Sequence, residues 1–213
     1  FLLVIIFFFC FSQTKVSAYN PSSYIVYDAD MNAVLEGKNM NTISLIASTT
    51  KIMTAIVAIE NGSMLDTYKV SKEDTLVEGS KVYLYENETM TLCDLLYGLL
   101  LRSGNDCANM IARCVTNDYD HFIFLMNEKC KEIGMLNSSF ENPSGLDTLN
   151  ENRSTSYDLA LLMTYAMKNE IFKEIASSHS HVAYSIEGRR FSWINKDKSI
   201  LSDDRFIAGK TGV

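Results

Sequence analysis

Apolar and polar positions alternate at a two-residue period near the start of the chain, then at a helical period, then again at two. Two β-prone runs, 23–28 and 33–36, flank the turn-rich Ala29-Asp30-Met31-Asn32 and predict a hairpin. Residues 37–41 lead out of it towards Ile52 to Ile59, a run apolar on every side that marks a helix buried all round. Gly62, after Asn61, is expected to end that helix in the left-handed geometry that glycine tolerates. Residues 63–88 carry little helical period, with β-like pieces at 68–70 and 81–85. Thr91 and Asp94 form a capping pattern for a helix whose apolar face is Leu92, Leu95, Leu96, Leu99 and Leu100, running to Arg102. After a break at Ser103-Gly104-Asn105, Ala108, Ile111, Ala112 and Val115 predict another helix, and residues 120–133, closed by Gly134, one more. Residues 136–153 are loop-like; Thr155 caps a helix over 156–168, and a short one follows at 171–176. From His181 alternation returns, at 182–186 and 190–194 around a Glu187-Gly188 turn and then at 206–208. Strands, helices, then strands is an α+β order, in which N- and C-terminal strands form one antiparallel sheet with a helical lobe packed on it.

A length of 213 residues supports one domain with a substantial core. Lys+Arg 19 against Asp+Glu 26, a net charge of −7, argues against nucleic acid or an anionic membrane surface as partner and points to a small or peptidic substrate. Residues 1–11 are apolar over too short a stretch to cross a bilayer as a helix, and Val16-Ser17-Ala18 fits a signal-peptidase site. Residues 1–18 are therefore expected to be an export signal that begins before Phe1, and 19–213 the exported domain. Export would place Cys93, Cys107, Cys114 and Cys130 where disulfides form, yet their helix-like, apolar surroundings predict buried free thiols. No spacing of Cys, His and carboxylates matches a metal site, and no cofactor is expected.

Ser48 and Lys51 stand three positions apart at the mouth of the buried helix, so the amine can reach the hydroxyl. Helix N-terminal amides also favour the negative charge that develops in acyl transfer. The pattern alone is unspecific: Ser12-Gln13-Thr14-Lys15 repeats it inside the expected export signal, and a solvated helix start accounts for it equally well. Ser103-Gly104-Asn105 offers a hydroxyl and a carboxamide at a break between helices, which by itself reads first as two helix ends with a glycine turn and an Asn cap. Lys210-Thr211-Gly212 by itself fits any exposed edge strand. His121, His179 and His181 accompany no Gly-x-Ser-x-Gly elbow and give no Ser-His-Asp mechanism.

In combination these pieces say more. Ser103 follows Ser48 by 55 residues and Lys210 follows Ser103 by 107, and the ordered set resembles the Ser-x-x-Lys, Ser-x-Asn and Lys-Thr-Gly signature of β-lactamases and penicillin-binding proteins. With residues 46–54, Leu95-Leu-Tyr-Gly-Leu-Leu-Leu-Arg-Ser-Gly-Asn-Asp106, Met126-Asn-Glu-Lys129 and Asn142-Pro-Ser-Gly-Leu-Asp147, the chain resembles the serine D-alanyl-D-alanine carboxypeptidases of the peptidase S11 family. That resemblance implies a β-lactamase/penicillin-binding-protein-like fold and a peptidoglycan stem peptide ending in D-Ala-D-Ala as substrate. It implies that Ser48 attacks the carbonyl between the two D-alanines, that Lys51, with a lowered pKa, takes its proton, and that Ser103 relays a proton to the leaving amine. Asn105 would hold Lys51 and the substrate amide. Lys210 and Thr211, beside Gly212, would bind the terminal carboxylate, and the backbone amides of Ser48 and Val213 would form an oxyanion hole. β-Lactams would trap Ser48 as mimics of the substrate, in the cell envelope of a bacterium.

The family also carries sheet elements after Lys-Thr-Gly, often followed by a small β domain and an amphipathic membrane anchor. The sheet is accordingly expected to be incomplete at Val213, and membrane association to depend on such an anchor. Two rival readings remain. A class A β-lactamase carries Glu-x-x-Leu-Asn, whereas Leu149-Asn150 here is preceded at the matching position by Leu146. A non-catalytic β-lactam or peptidoglycan sensor would keep the fold without turnover, although every catalytic position here is filled.

Overall fold

A computed structural model describes residues 20–146, 151–202 and 205–212. The expected export segment lies outside the described residues. Strand β1 (Tyr24–Asp28) pairs antiparallel with β2 (Ala33–Lys38), and the Asp28 carboxylate accepts the backbone N–H groups of Asp30 and Met31 to close the turn. Short β3 (Ser44–Leu45) leads through a 3-10 turn, Ala47–Thr50, into α1 (Lys51–Asn61). There follow β4 (Thr67–Lys69), α2 (Lys72–Thr75), β5 (Thr89–Thr91), α3 (Leu92–Arg102), α4 (Asn105–Val115) and α5 (Tyr119–Ile133). The chain continues through β6 (Arg153–Ser154), α6 (Ser156–Ala166), α7 (Glu170–Ala176), β7 (Ser180–Tyr184), β8 (Arg190–Ile194) and α8 (Ser199–Ser202).

Helix α1 is the axis of the fold. Its residues from Lys51 to Ala58 are all buried, and α3, α4, α5, α6 and α7 pack around it. A surface apolar on nearly every side is what such a position requires, because each side of the helix meets another element, and the buried Thr54 hydroxyl is satisfied by the Pro143 carbonyl at 2.6 Å. The surrounding helices start where the sequence supplies acceptors: Thr91 Oγ1 takes the Asp94 N–H at 3.0 Å and Thr155 Oγ1 the Asp158 N–H at 3.1 Å. Gly134 closes α5 at φ +82°, as its position predicts. Hairpin β7–β8 lies on α3, burying Ala183, Phe191 and Trp193. The α+β order is thus present, with helices in the middle and hairpins at both ends.

Several details differ from the sequence pattern. Among the described residues the strands form four two-stranded antiparallel ladders, β1–β2, β3–β6, β4–β5 and β7–β8, and the two terminal hairpins are paired only within themselves. Residues 206–208, expected as a strand, run without a ladder, since β-prone residues make a strand only against a partner edge. Gly62 does end α1, but at φ −129°, which is extended; it is needed for space, because a Cβ there would lie 2.7 Å from Leu92 Cδ2. Residues 81–85 are not a strand: the N–H groups of Val82 and Leu84 are donated to the buried carboxylate of Asp106. Cys93, Cys107, Cys114 and Cys130 are free thiols, all but Cys93 buried.

Candidate active site

The 3-10 turn ahead of α1 sets the geometry of Ser48 and Lys51. Side chains three positions apart eclipse in a 3-10 helix more closely than in an α-helix, and Lys51 Nζ donates to Ser48 Oγ at 3.0 Å. Lys51 also donates to the Ser144 carbonyl oxygen, and its side chain is 0 % exposed. Burial, reinforced by the nearby charge of Lys210, lowers the Lys51 pKa to about 7. Such an amine is neutral in a large share of molecules near neutral pH, which is what a base for a serine hydroxyl requires. Ser48 itself is half-buried, with its backbone entered through Ala47 at φ +43°.

The loop at Ser144 is built against this turn. Gly145 has φ +76°, and a Cβ on it would stand 1.8 Å from the Ala47 carbonyl oxygen, so only glycine lets the two backbones meet. Asn152 ties the same loop to the helix start: its Nδ2 donates to Thr50 Oγ1 at 2.9 Å and to the Asn142 carbonyl at 2.8 Å.

Opposite lies the α3–α4 break. Ser103 caps α3 in the left-handed conformation, φ +61°, and is 7 % exposed. Asn105 opens α4, donating its Nδ2 to the Glu78 carbonyl at 2.7 Å and its backbone N–H to that of Ser80 at 2.7 Å. Its Oδ1 is buried and has no hydrogen-bond partner among the described residues. Asp106, next in sequence, anchors Val82 and Leu84, so one helix start fixes the whole wall 78–84.

Residues 209–212 form the third side. Lys210, Thr211 and Ser103 border one small cavity together with Lys196, and a Cβ on Gly212 would lie 3.1 Å from the Ile46 carbonyl oxygen, which places this segment along the start of α1. Lys210 Nζ donates to the Thr211 carbonyl at 2.7 Å, and burial, with Lys196 nearby, lowers its pKa to about 8. Val213 lies outside the described residues. The cleft of about 380 Å³ so enclosed is lined by Ser48, Ser103, Asn105 and Thr211, with Gly79, Ser80, Gly145, Leu146 and Lys196. A larger cavity of about 570 Å³ between β1 and α6, lined by Tyr24, Tyr27 and Met163 among others, holds none of these groups.

The architecture places the three motifs around a single cleft, and the comparisons with known proteins agree with it. The family model described as D-alanyl-D-alanine carboxypeptidase, peptidase S11, matches residues 11–213. This chain belongs to that family. It is 30 % identical over 206 residues to the D-alanyl-D-alanine carboxypeptidase DacF of Bacillus subtilis, covering 94 % of this chain and 52 % of the relative. It is 33 % identical over 194 residues to a D-alanyl-D-alanine endopeptidase of Haemophilus influenzae, covering 89 % of this chain and 65 % of the relative. A solved D-alanyl-D-alanine carboxypeptidase of Mycobacterium tuberculosis H37Rv superposes with a TM-score of 0.86 at 33 % identity, over 90 % of this chain and 72 % of that one. The chain spans about half to two thirds of the length of these curated relatives. The penicillin-binding-protein-like α+β fold expected from the motifs is therefore established for this S11 chain.

The structure also revises the expected contacts of this S11 site. Lys51 is held by the Ser144 carbonyl, whereas the carboxamide of Asn105, expected to hold it, is turned to Glu78. Lys196 and Ser80 carry no sequence signal of their own, and Ser144 stands out only as part of the stretch Asn142 to Asp147, not for its carbonyl. Asn142-Pro143-Ser144-Gly145 reads as a turn, and a backbone carbonyl carries no residue-type signal; Lys196 follows a hairpin as an ordinary exposed lysine would.

Proposed function

We propose that the chain carries the catalytic machinery of a serine D-alanyl-D-alanine carboxypeptidase that removes the terminal D-alanine from peptidoglycan stem peptides. The 3.0 Å bond between Ser48 Oγ and a buried Lys51 of lowered pKa, in one cleft with Ser103, Asn105 and Thr211, carries this reading. Neutral Lys51 takes the Ser48 proton as Oγ attacks the penultimate D-Ala carbonyl. Ser103, at the opposite wall, passes a proton to the leaving nitrogen, and the C–N bond breaks to leave an ester on Ser48. Water then cleaves the ester. The unpartnered Oδ1 of Asn105 accepts the substrate amide N–H, which removes the cost of a buried orphan acceptor. Lys210 and Thr211 hold the terminal carboxylate, and the Ser48 and Val213 amides the oxyanion.

Against the β-lactamase reading, no carboxylate lines the cleft among the described residues, and Leu146 forms that part of the wall. Leu149-Asn150 lies outside them. β-Lactams are accordingly expected to acylate Ser48 and stay. Export through residues 1–18 and action in the bacterial cell envelope complete the proposal. The test is D-alanine release from a Lys-D-Ala-D-Ala peptide by the full-length protein beside Ser48→Ala. Release that survives the substitution sinks the assignment, and binding of penicillin without any release supports the sensor reading.

A further inference from the structure

Three lysines meet at the catalytic cleft, at three depths. Lys51 is fully buried beneath Ser48, Lys210 is half-buried, and Lys196 is exposed to solvent. Lys196 lines the cleft with Ser48 and Thr211, and it borders the small cavity that holds Ser103, Lys210 and Thr211. Its place is fixed twice. Its backbone N–H donates to the Leu101 carbonyl near the end of α3 at 3.0 Å, and its Nζ donates to Ser80 Oγ on the 78–84 wall at 3.0 Å. Among the described residues it forms no ion pair.

A cation held at a cleft without a carboxylate partner acts on the charges around it. No carboxylate lines this cleft among the described residues, so the groups that face the three amines are few. Burial lowers the Lys51 pKa most and Lys210 comes next; the Cys107 thiol opposes them, Lys196 adds to the lowering, and Asp106 opposes it. For Lys210 burial again comes first and Lys196 second, with Asp197 opposing. Lys196 itself is lowered by partial burial and by Arg102. Like charges in one pocket cannot all keep their protons, and the proton is given up most readily where water solvates the charge least. Lys51, with no access to water, is that place, whereas Lys196 faces water and keeps its charge at the lowest cost.

We propose that Lys196 is a positioning residue of the reaction, a solvent-facing third cation that sets the pH window in which Lys51 is neutral while Lys210 is charged. The proposal rests on the carboxypeptidase reading, in which neutral Lys51 takes the Ser48 proton and charged Lys210 grips the terminal carboxylate. Lys196 acts through those two lysines and needs no contact with the reacting atoms. Removing its charge lets both hold their protons to higher pH. Fewer molecules then have Lys51 neutral on the acid side, and more have Lys210 charged on the alkaline side. Activity is lost at low pH and gained at high pH, a crossing that damage to the cleft does not produce.

The test measures D-alanine release from a Lys-D-Ala-D-Ala peptide by the full-length protein at pH 6.5 and pH 8.5, either side of the values of about 7 and about 8 reached by Lys51 and Lys210. It compares the unsubstituted protein with two neutral variants, Lys196→Met and Lys196→Gln, and with Lys196→Arg. The readout is the ratio of kcat/KM at pH 8.5 to kcat/KM at pH 6.5, in which a general loss of substrate binding cancels. Solvent screening at an exposed site keeps the effect modest: about a twofold loss at the lower pH and about a twofold gain at the higher, so the ratio rises about fourfold in both neutral variants. Lys196→Arg keeps the charge and holds the ratio within about 1.5-fold of the unsubstituted value. A ratio that stays or falls in either neutral variant, an equal rise in Lys196→Arg, a folded neutral variant without turnover at both pH values, or loss of the folded state in both neutral variants by thermal melt overturns the role of Lys196 and leaves the carboxypeptidase reading standing. Absence of D-alanine release by the unsubstituted protein at both pH values overturns that reading and the role of Lys196 with it.

Discussion

Lys51 and Lys210 must be in opposite protonation states for the proposed chemistry, and their surroundings arrange this. Lys51 acts as a base only when neutral, so kcat/KM for D-alanine release is expected to fall as pH drops through about 7. Lys210 grips a carboxylate only when charged, so the same quantity is expected to fall as pH rises through about 8. A narrow bell with its top between these values is the expected profile, measured as kcat/KM against pH; the two limbs belong to the coupled pair, not to either lysine alone. A flat profile from pH 6 to 9 would contradict it. The same displacement has a stability side. Between about 7 and its ordinary 10.5, Lys51 binds fewer protons in the folded than in the unfolded chain, so its burial costs most below pH 7 and that cost shrinks as pH rises.

At the scale of elements, the site depends on two junctions where a loop is fixed by one residue. Gly145→Ala puts a methyl where the Ala47 carbonyl oxygen stands, at φ +76°, and no flexible side chain can give way. We expect a loss of at least about 2 kcal/mol in unfolding free energy, together with loss of penicillin acylation of Ser48, read by thermal melts and by labelling. Asp106→Asn replaces an acceptor of the Val82, Leu84 and Cys107 N–H groups by one that keeps a single good acceptor atom. The expected cost is about 2 kcal/mol. Because the Asp106 charge raises the Lys51 pKa, the substitution should also move the acid limb of the pH profile downward, a shift that a purely structural role would not produce. These junctions mark what sequence reading could and could not reach. Long amphipathic helices with side-chain caps, such as α3 at Thr91 and α6 at Thr155, announce themselves because period and cap are both local. The paired Ser48 and Lys51 were visible for the same reason. Strands of two or three residues have no period, and Asp106 holding residues 82 and 84 mimics a strand without a ladder. The Ser144 carbonyl on Lys51 arises 93 positions away, where only folding brings it near.

Over the whole molecule, the cleft is a meeting of three bodies: α1 with its leading turn, the α3–α4 break, and the segment that follows hairpin β7–β8. The first two are bound together by the core. The hairpin is attached by apolar burial of Ala183, Phe191 and Trp193 on α3, by Glu187 accepting the Thr89 N–H and hydroxyl, by His181 bonded to Asp94, and by Arg189 reaching across to residues 83–88. That guanidinium stacks 3.6 Å from the Tyr85 ring centroid and 4.5 Å from that of Phe191, and bonds Glu88 at 3.0 Å. Glu88 is 7 % exposed but keeps the Tyr85 N–H at 2.8 Å, so it is not wholly orphaned if Arg189 is lost. Arg189→Ala is therefore expected to cost about 1–3 kcal/mol. The apolar anchor on α3 and the Glu187 and His181 bonds survive it, so the loosening should be local: amide exchange should quicken in residues 81–88, where Tyr83 stands in the left-handed region at φ +63°, and change little in β7 and β8. Arg189→Lys keeps the charge but not the planar fork or its stacking, and should recover only part of the protection. Uniformly faster exchange through both strands of the hairpin would instead show that Arg189, and not the α3 contact, holds the third side of the cleft in place.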